Sequence, residues 1–257
     1  MKKWNDRKIG MAVILAGLCF MVTSCGEKDL QETEKSVDTE ISAKEETEDI
    51  NILFSESAED AYIDFEALQA ENEDVFGWLY VPGTGIDAPV LQSAEADDYY
   101  ESRNVLKEID EDGALYTELA NLKNMCDFNT VIHGRKTGDF TDLYEFADPD
   151  FFENHERAYI YIEGNVLTYE IFAAYEREDT SLIRTYDFTY ASGCEEFLEE
   201  VYQKQMGKNI REGWEGITPY HFLITLTTKE TTGSGRQFVV LAALVGDAAG
   251  TINRIVE

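Results

Sequence analysis

A mostly β domain with a few helices around it is what this 257-residue sequence predicts, and three observations carry that prediction. Short runs rich in β-branched and aromatic residues recur along the chain, each closed by a Gly or Pro signal. Ala158 to Ile162 and Val166 to Ala174 alternate on either side of a Gly164-Asn165 turn, which reads as a hairpin. Towards the C-terminus, His221 to Val245 holds two apolar, strand-like runs joined by a polar loop, with Lys229 at its start and Arg236 at its end.

The N-terminal quarter has a different character. Lys2, Lys3, Arg7 and Lys8 precede the apolar run Ile9 to Val22, which is short for a membrane-spanning helix and has the layout of a secretory signal. It ends in Val22-Thr23-Ser24-Cys25, which resembles a bacterial lipobox. That resemblance implies cleavage before Cys25, lipidation of its thiol and attachment to the outer face of the bacterial cell membrane through the N-terminal lipid. From Gly26 to Asp60 thirteen acidic residues face three lysines and no proline, so like-charge repulsion and low hydrophobicity predict an extended, disordered tether. The expected organisation is a signal peptide at 1–24, a tether at 25–60 and one domain at 61–257.

The formal charge is −31, and loss of residues 1–24 leaves 17 basic and 51 acidic residues, a charge of −34. Nucleic acid would repel such a surface, so it is excluded as a partner. No CxxC pair occurs, and His133, His155 and His221 are scattered, so neither a metal site nor a cofactor is expected. Of the four cysteines, Cys19 and Cys25 lie in the leader region. Cys126 and Cys194 remain in the domain, where a bridge between them is left open and a buried, inert thiol is the expectation for each.

Within the domain, Tyr62, Phe65 and Leu68 suggest a short amphipathic helix, and Phe76 to Val81 reads as a strand ended by Pro82-Gly83. Ile86-Asp87-Ala88-Pro89-Val90, Gly113 to Tyr116 and Asn129 to Thr137 read as further strands. A helical turn is expected around Leu143 and Phe146, and Phe197, Leu198, Val201 and Tyr202 fall at helical spacing between Glu195 and Gln205.

The stretch from Asp74 to Gln92, DVFGWLYVPGTGIDAPVLQ, with Asp97-Asp98-Tyr99-Tyr100 after it, resembles the opening of a class B sortase domain. Thr225-Leu226-Thr227-Thr228 and the Arg236-opened final run resemble that family's last two strands. The resemblance covers about residues 62 to 247. It implies a closed β-barrel of about eight strands with peripheral helices, including an N-terminal helix and a long helix before the last two strands. Members of the family are cysteine transpeptidases. A thiolate attacks an amide, a histidine serves the leaving amine and an arginine holds the oxyanion.

Laid over that pattern, the thiol position holds Lys229 and the histidine position holds Arg135, while His133 falls on an aromatic position and Arg236 keeps the arginine. A lysine amine attacking an amide would form another stable amide, so turnover would stop. Lys229, Arg135 and Arg236, with His133 and Thr227, are instead expected to form a cationic island that binds an anion such as a peptide carboxylate or a cell-wall phosphate, with Glu230 as a candidate neutralising neighbour.

The reading that follows is a cell-surface lipoprotein with an inactive class B sortase-like domain. It would bind a sorting-signal peptide, a cell-wall fragment or a partner sortase. The alternative is an active transpeptidase with a non-standard catalytic set, and a retained membrane anchor, which class B sortases generally have, is the alternative to lipidation.

Overall fold

The computed structural model describes residues 63–135, 138–203, 207–229 and 235–251. The expected signal peptide, the lipidated Cys25 and the acidic tether lie outside these residues, as does Glu230.

The domain opens with helix α1 (Phe65–Glu71), which the Asp64 carboxylate caps by accepting a hydrogen bond from Ala67 N at 2.9 Å. Strands β1 (Val75–Tyr80) and β2 (Asp87–Leu91) follow as an antiparallel pair. A 3-10 turn at Tyr99–Ser102 leads to the two-residue strand β3 (Leu115–Tyr116), and then to β4 (Asn129–Arg135). The turn expected around Leu143 and Phe146 is a 3-10 stretch, Gly138–Ala147, continued by helix α2 (Pro149–Asn154). Strands β5 (Arg157–Ile162) and β6 (Asn165–Glu178) form the hairpin. Its two-residue loop is Glu163-Gly164, one position earlier than the sequence suggests, because Asn165 already pairs with Ile162 and Gly164 takes a φ of 76°.

After β6 come the short helix α3 (Leu182–Thr185), the long helix α4 (Ala191–Tyr202) and the two-residue strand β7 (Asn209–Ile210). Strands β8 (Leu223–Lys229) and β9 (Arg236–Asp247) close the domain, with the short β10 (Gly250–Thr251) added at the edge of β9. Neighbouring strands run in the order β9-β8-β4-β3-β2-β1-β5-β6, and β6 pairs back onto β9. Eight strands therefore close into a barrel, as expected, with β7 appended to β6. Among the described residues no helix is long and apolar enough to cross a membrane.

Successive side chains of a strand point to opposite faces. On β8 and β9 both faces are buried, which explains why Phe238 to Val245 of β9 is continuously apolar and why β8 combines apolar residues with threonines. Ile224, Leu226, Phe238, Val240 and Ala242 point into the barrel, where Leu143 and Phe146 of the 3-10 stretch help to fill it. Leu223, Val239, Leu241 and Ala243 point outward and join Val131 of β4 beneath Phe197, Leu198 and Val201 of α4. The helical spacing noted at 197–202 is thus the stripe that seals the outer face.

Candidate functional site

The outer face of β4, β8 and β9 changes character along its length. Beneath α4 it carries apolar side chains, but towards the C-terminal ends of β4 and β8 it carries His133, Thr227 and Gln237, all at most 9% exposed. The pairing register fixes who meets whom. Tyr116 is the Cα partner of His133, His133 of Thr227, and Thr227 of Val239. One step further, Arg135 is the partner of Lys229, and Lys229 of Gln237, the residue after Arg236. The backbone thus brings the expected positions 133, 135, 227 and 229 together on one face, while Arg236, one residue before Gln237, alternates onto the other face of β9.

Close packing between His133 and Arg135 requires a glycine. A Cβ on Gly134 would lie 2.4 Å from the Phe140 ring and 2.8 Å from Leu115 Cδ2, both in the barrel core.

His133 is held from two sides. Its ring stacks on Tyr116 with centroids 5.1 Å apart and planes 20° apart, and its Nε2 lies 3.2 Å from Oε1 of Glu118. The His133 contact is the largest influence on the Glu118 carboxyl and, against the effect of burial, holds it below its ordinary value. The Ser181 hydroxyl reaches the same oxygen at 3.4 Å. Beside this pair opens a cavity of about 400 Å³. Its floor includes Tyr116, His133, Thr227 and Gln237, and its walls come from residues 97–101 and 179–184.

A buried network anchors the second wall. Gln237 accepts a hydrogen bond from the Thr227 hydroxyl at 2.9 Å and donates to the carbonyls of Glu178 and Thr180 at 3.1 and 3.0 Å. Arg177 donates to the same two carbonyls at 3.2 and 2.9 Å and forks onto Glu200 of α4 at 2.9 and 3.2 Å. Tyr175 and Tyr186 also donate to Glu200. Burial pushes the Glu200 carboxyl up, but the hydrogen bonds from Arg177 and Tyr186 outweigh it and leave the group below its ordinary value. Burial and the same contact push the Tyr186 hydroxyl up to about 12.

The remaining expected residues fall as follows. The Arg236 guanidinium donates to the Glu176 carbonyl at 3.1 Å and lies 3.8 Å from the Glu176 carboxylate on β6. Cys194 is buried, its thiol faces the Phe188 carbonyl at 3.6 Å, and burial pushes its pKa up. Cys126 corrects the expectation of a buried thiol, because it is exposed in the loop before β4. That loop precedes the strand end opposite Arg135, a separation of roughly 20 Å along the strand. Both cysteines are free, so no bridge joins them. The charged neighbours of Cys194 are Glu195 and Asp187, not the cations that make a thiol reactive. Among the described residues no group of three or more His, Cys, Asp or Glu side chains is placed to hold a metal ion.

The sequence reading missed Glu118, Ser181 and Gln237. Glu118 shares a face with Tyr116 by alternation, which becomes informative only once β3 is known to pair with β4. Asp97 and Asp98, which the sequence offers only as part of the resemblance to the family's opening, line the cavity.

No protein-family model matches the chain. It is 32% identical over 170 residues to a sortase B of Listeria monocytogenes, covering 64% of this chain and 66%, just under two thirds, of that protein. The solved structure of Clostridium perfringens sortase B matches with a TM-score of 0.63 and 27% identity, over 70% of this chain and 99% of that one. A Staphylococcus aureus sortase B–substrate complex matches with a TM-score of 0.63 and 25% identity, over 77% and 92% of the two chains. The barrel is therefore the sortase fold, and these relatives support a class B sortase family for the chain.

Proposed function

We propose that this protein is a sortase-fold binding module of the bacterial cell surface that has kept the peptide groove and lost the transpeptidase reaction. The observation that carries the reading is the pairing of Arg135 with Lys229, at the opposite end of β4 from the loop that carries Cys126, while Cys194 is buried in the core under α4. Catalysis by this family requires a thiolate and a histidine at those two positions. A basic pair offers charge-assisted hydrogen bonds to an anion instead, such as a peptide carboxylate or a cell-wall phosphate. Arg236 follows the same strand end but alternates with Gln237 onto the other face of β9, where its contacts are with Glu176 of β6, so the basic pair rather than a triad is the proposed anion site. His133 and Thr227 form its floor rather than its charge, since both already have partners in the barrel.

In this reading residues 1–24 direct export, the Cys25 thiol carries the lipid, and residues 25–60 hold the domain away from the membrane. The bound partner is a sorting-signal peptide, a cell-wall fragment or a true sortase carrying one. That a related sortase B was solved with its substrate supports a peptide as the ligand class.

The test uses the whole chain on liposomes and a fluorogenic sorting-motif peptide. The unaltered protein is expected to bind the peptide without cleaving it. The double variant Lys229→Cys with Arg135→His is expected to gain cleavage that a methanethiosulfonate reagent blocks. Cleavage by the unaltered protein, abolished by the same reagent, would overturn the proposal in favour of an enzyme with a different nucleophile.

A further inference from the structure

A second cavity, of about 640 Å³, opens at the start of β4 and shares only Arg184 with the lining of the groove cavity. Its volume falls within the roughly 300–1,000 Å³ usual for small-ligand sites. The loop before β4 and residues 183–189 form its walls, and its floor includes Asn129, the first residue of β4. By alternation Asn129 shares the outer face with Val131, the face on which Ile183, Tyr186 and Phe188 pack.

Two groups here are open to a ligand. The Asn129 side chain is fully buried, and its Oδ1 accepts a hydrogen bond from the Thr225 hydroxyl at 2.9 Å, but its Nδ2 has no partner. A buried donor left unpaired is costly, so it points to an acceptor that the chain itself does not supply. The other group is the exposed Cys126 thiol, whose contact is with the Asn124 carbonyl of its own loop at 3.4 Å. Two carboxylates stand beside them. Asp127 holds Leu122 N and the Asn121 amide through Oδ2, and Asp187 holds Thr189 through Oδ1, so each keeps one oxygen without a partner among the described residues.

A ligand that suits this set offers an electrophilic sulfur to the thiol, an acceptor to the Asn129 amide and a cation to the free carboxylate oxygens. An α-amino acid joined through a disulfide carries all three. We infer that Cys126 is a thiol–disulfide exchange site for an amino-acid disulfide of the cystine type. The retained half sits in the cavity with its carboxylate on Asn129 Nδ2 and its ammonium against Asp127 and Asp187. In the exchange, the Cys126 thiolate attacks one sulfur of the disulfide, and a new S–S bond forms as the old one breaks. The departing cysteine leaves as a thiolate and takes up the proton lost by Cys126. The Cys126 sulfur is oxidised as the departing sulfur is reduced, so the disulfide itself is the oxidant. The inference does not depend on the peptide-groove reading.

The full chain is treated with cystine, cystamine or 2-hydroxyethyl disulfide, and the adduct at Cys126 is followed by peptide mapping. The same rates on the urea-unfolded chain supply the intrinsic reactivity of each disulfide, leaving group included. Cystine and hydroxyethyl disulfide carry no net charge, whereas cystamine is dicationic and is favoured by the field of a chain at −31. A cystine preference over both therefore reports specific contacts rather than that field. Relative to the unfolded chain, cystine is expected to modify Cys126 about tenfold faster than either, the size of a charge-assisted hydrogen bond. The preference is expected to fall towards one in Asn129→Asp, which keeps an acceptor for Thr225 and removes the donor. It is also expected to fall in Asp187→Asn, an exposed position that keeps an acceptor for Thr189 and reads the ammonium contact even if the buried variant does not fold. The same ranking of the three disulfides in folded and unfolded chains would overturn the inference and leave Cys126 an ordinary exposed thiol. A cystine preference undiminished in Asp187→Asn, or a disulfide-linked dimer in place of the adduct, would also overturn it.

Discussion

The two halves of the outer face of β4, β8 and β9 make an instructive pair. Under α4, Val131, Leu223, Val239 and Leu241 pack against Phe197, Leu198 and Val201. A few residues further along the same face, His133, Thr227 and Gln237 replace them as floor of the cavity. Strand geometry is common to both halves, and the difference is what lies on top. Where the helix covers the sheet, side chains contribute by leaving water. Beyond the helix, buried polar groups must find partners, and they do so through Glu118, Glu178 and Thr180. The fold is thus secured by the first half, while the second is free to change its chemistry.

The largest expected effect tests the covered half. Phe197→Ala removes a fully buried ring and should cost about 3–5 kcal/mol in urea unfolding. A loss below about 1 kcal/mol would mean that α4 is an ornament on the barrel, and the comparison would break.

A smaller effect is expected where the halves join. Glu200→Gln leaves the Arg177 guanidinium, whose side chain is 7% exposed, without its counter-charge. It should cost about 3 kcal/mol. Because Arg177 also ties the carbonyls of Glu178 and Thr180, hydrogen exchange in residues 178–184 should accelerate more than in β5. Uniform acceleration would show that the network supports the whole domain rather than the groove wall.

The smallest effect concerns the groove floor. Glu118 and Glu200 both keep carboxyls below the ordinary value of 4.5, so they bind fewer protons folded than unfolded. Their stabilisation is complete above about pH 4.5 and is lost as pH falls through their lowered folded values. Glu118→Gln should lower stability at pH 7 by about 1 kcal/mol and flatten the acid limb of the stability curve. An acid limb unchanged from the unaltered protein would show that the His133 contact carries no pH-dependent energy.

Much of the barrel was legible in the sequence because its signals are local. Alternation gave β5 and β6, Pro82-Gly83 ended β1, and the 197–202 spacing announced α4. The hairpin loop was misplaced by one residue because Gly164 and Asn165 are both turn formers, and only pairing with Ile162 tells them apart. Cys126 was expected to be buried because cysteines usually are. Its place in the loop before β4, directly after Met125 at a φ of 59°, is not encoded in composition.

The sequence by itself determined the covered strands and the identity of the residues at the thiol and histidine positions, since both are matters of local order along the chain. Only the tertiary structure decided that Arg135 sits beside Lys229, that Glu118 meets His133, and that two acidic walls flank them. The physical reason is separation. Arg135 and Lys229 are brought together by a parallel pairing across most of the domain, and Ser181 reaches Glu118 from 63 residues away. Such meetings depend on how the whole barrel closes, and no window of sequence contains them.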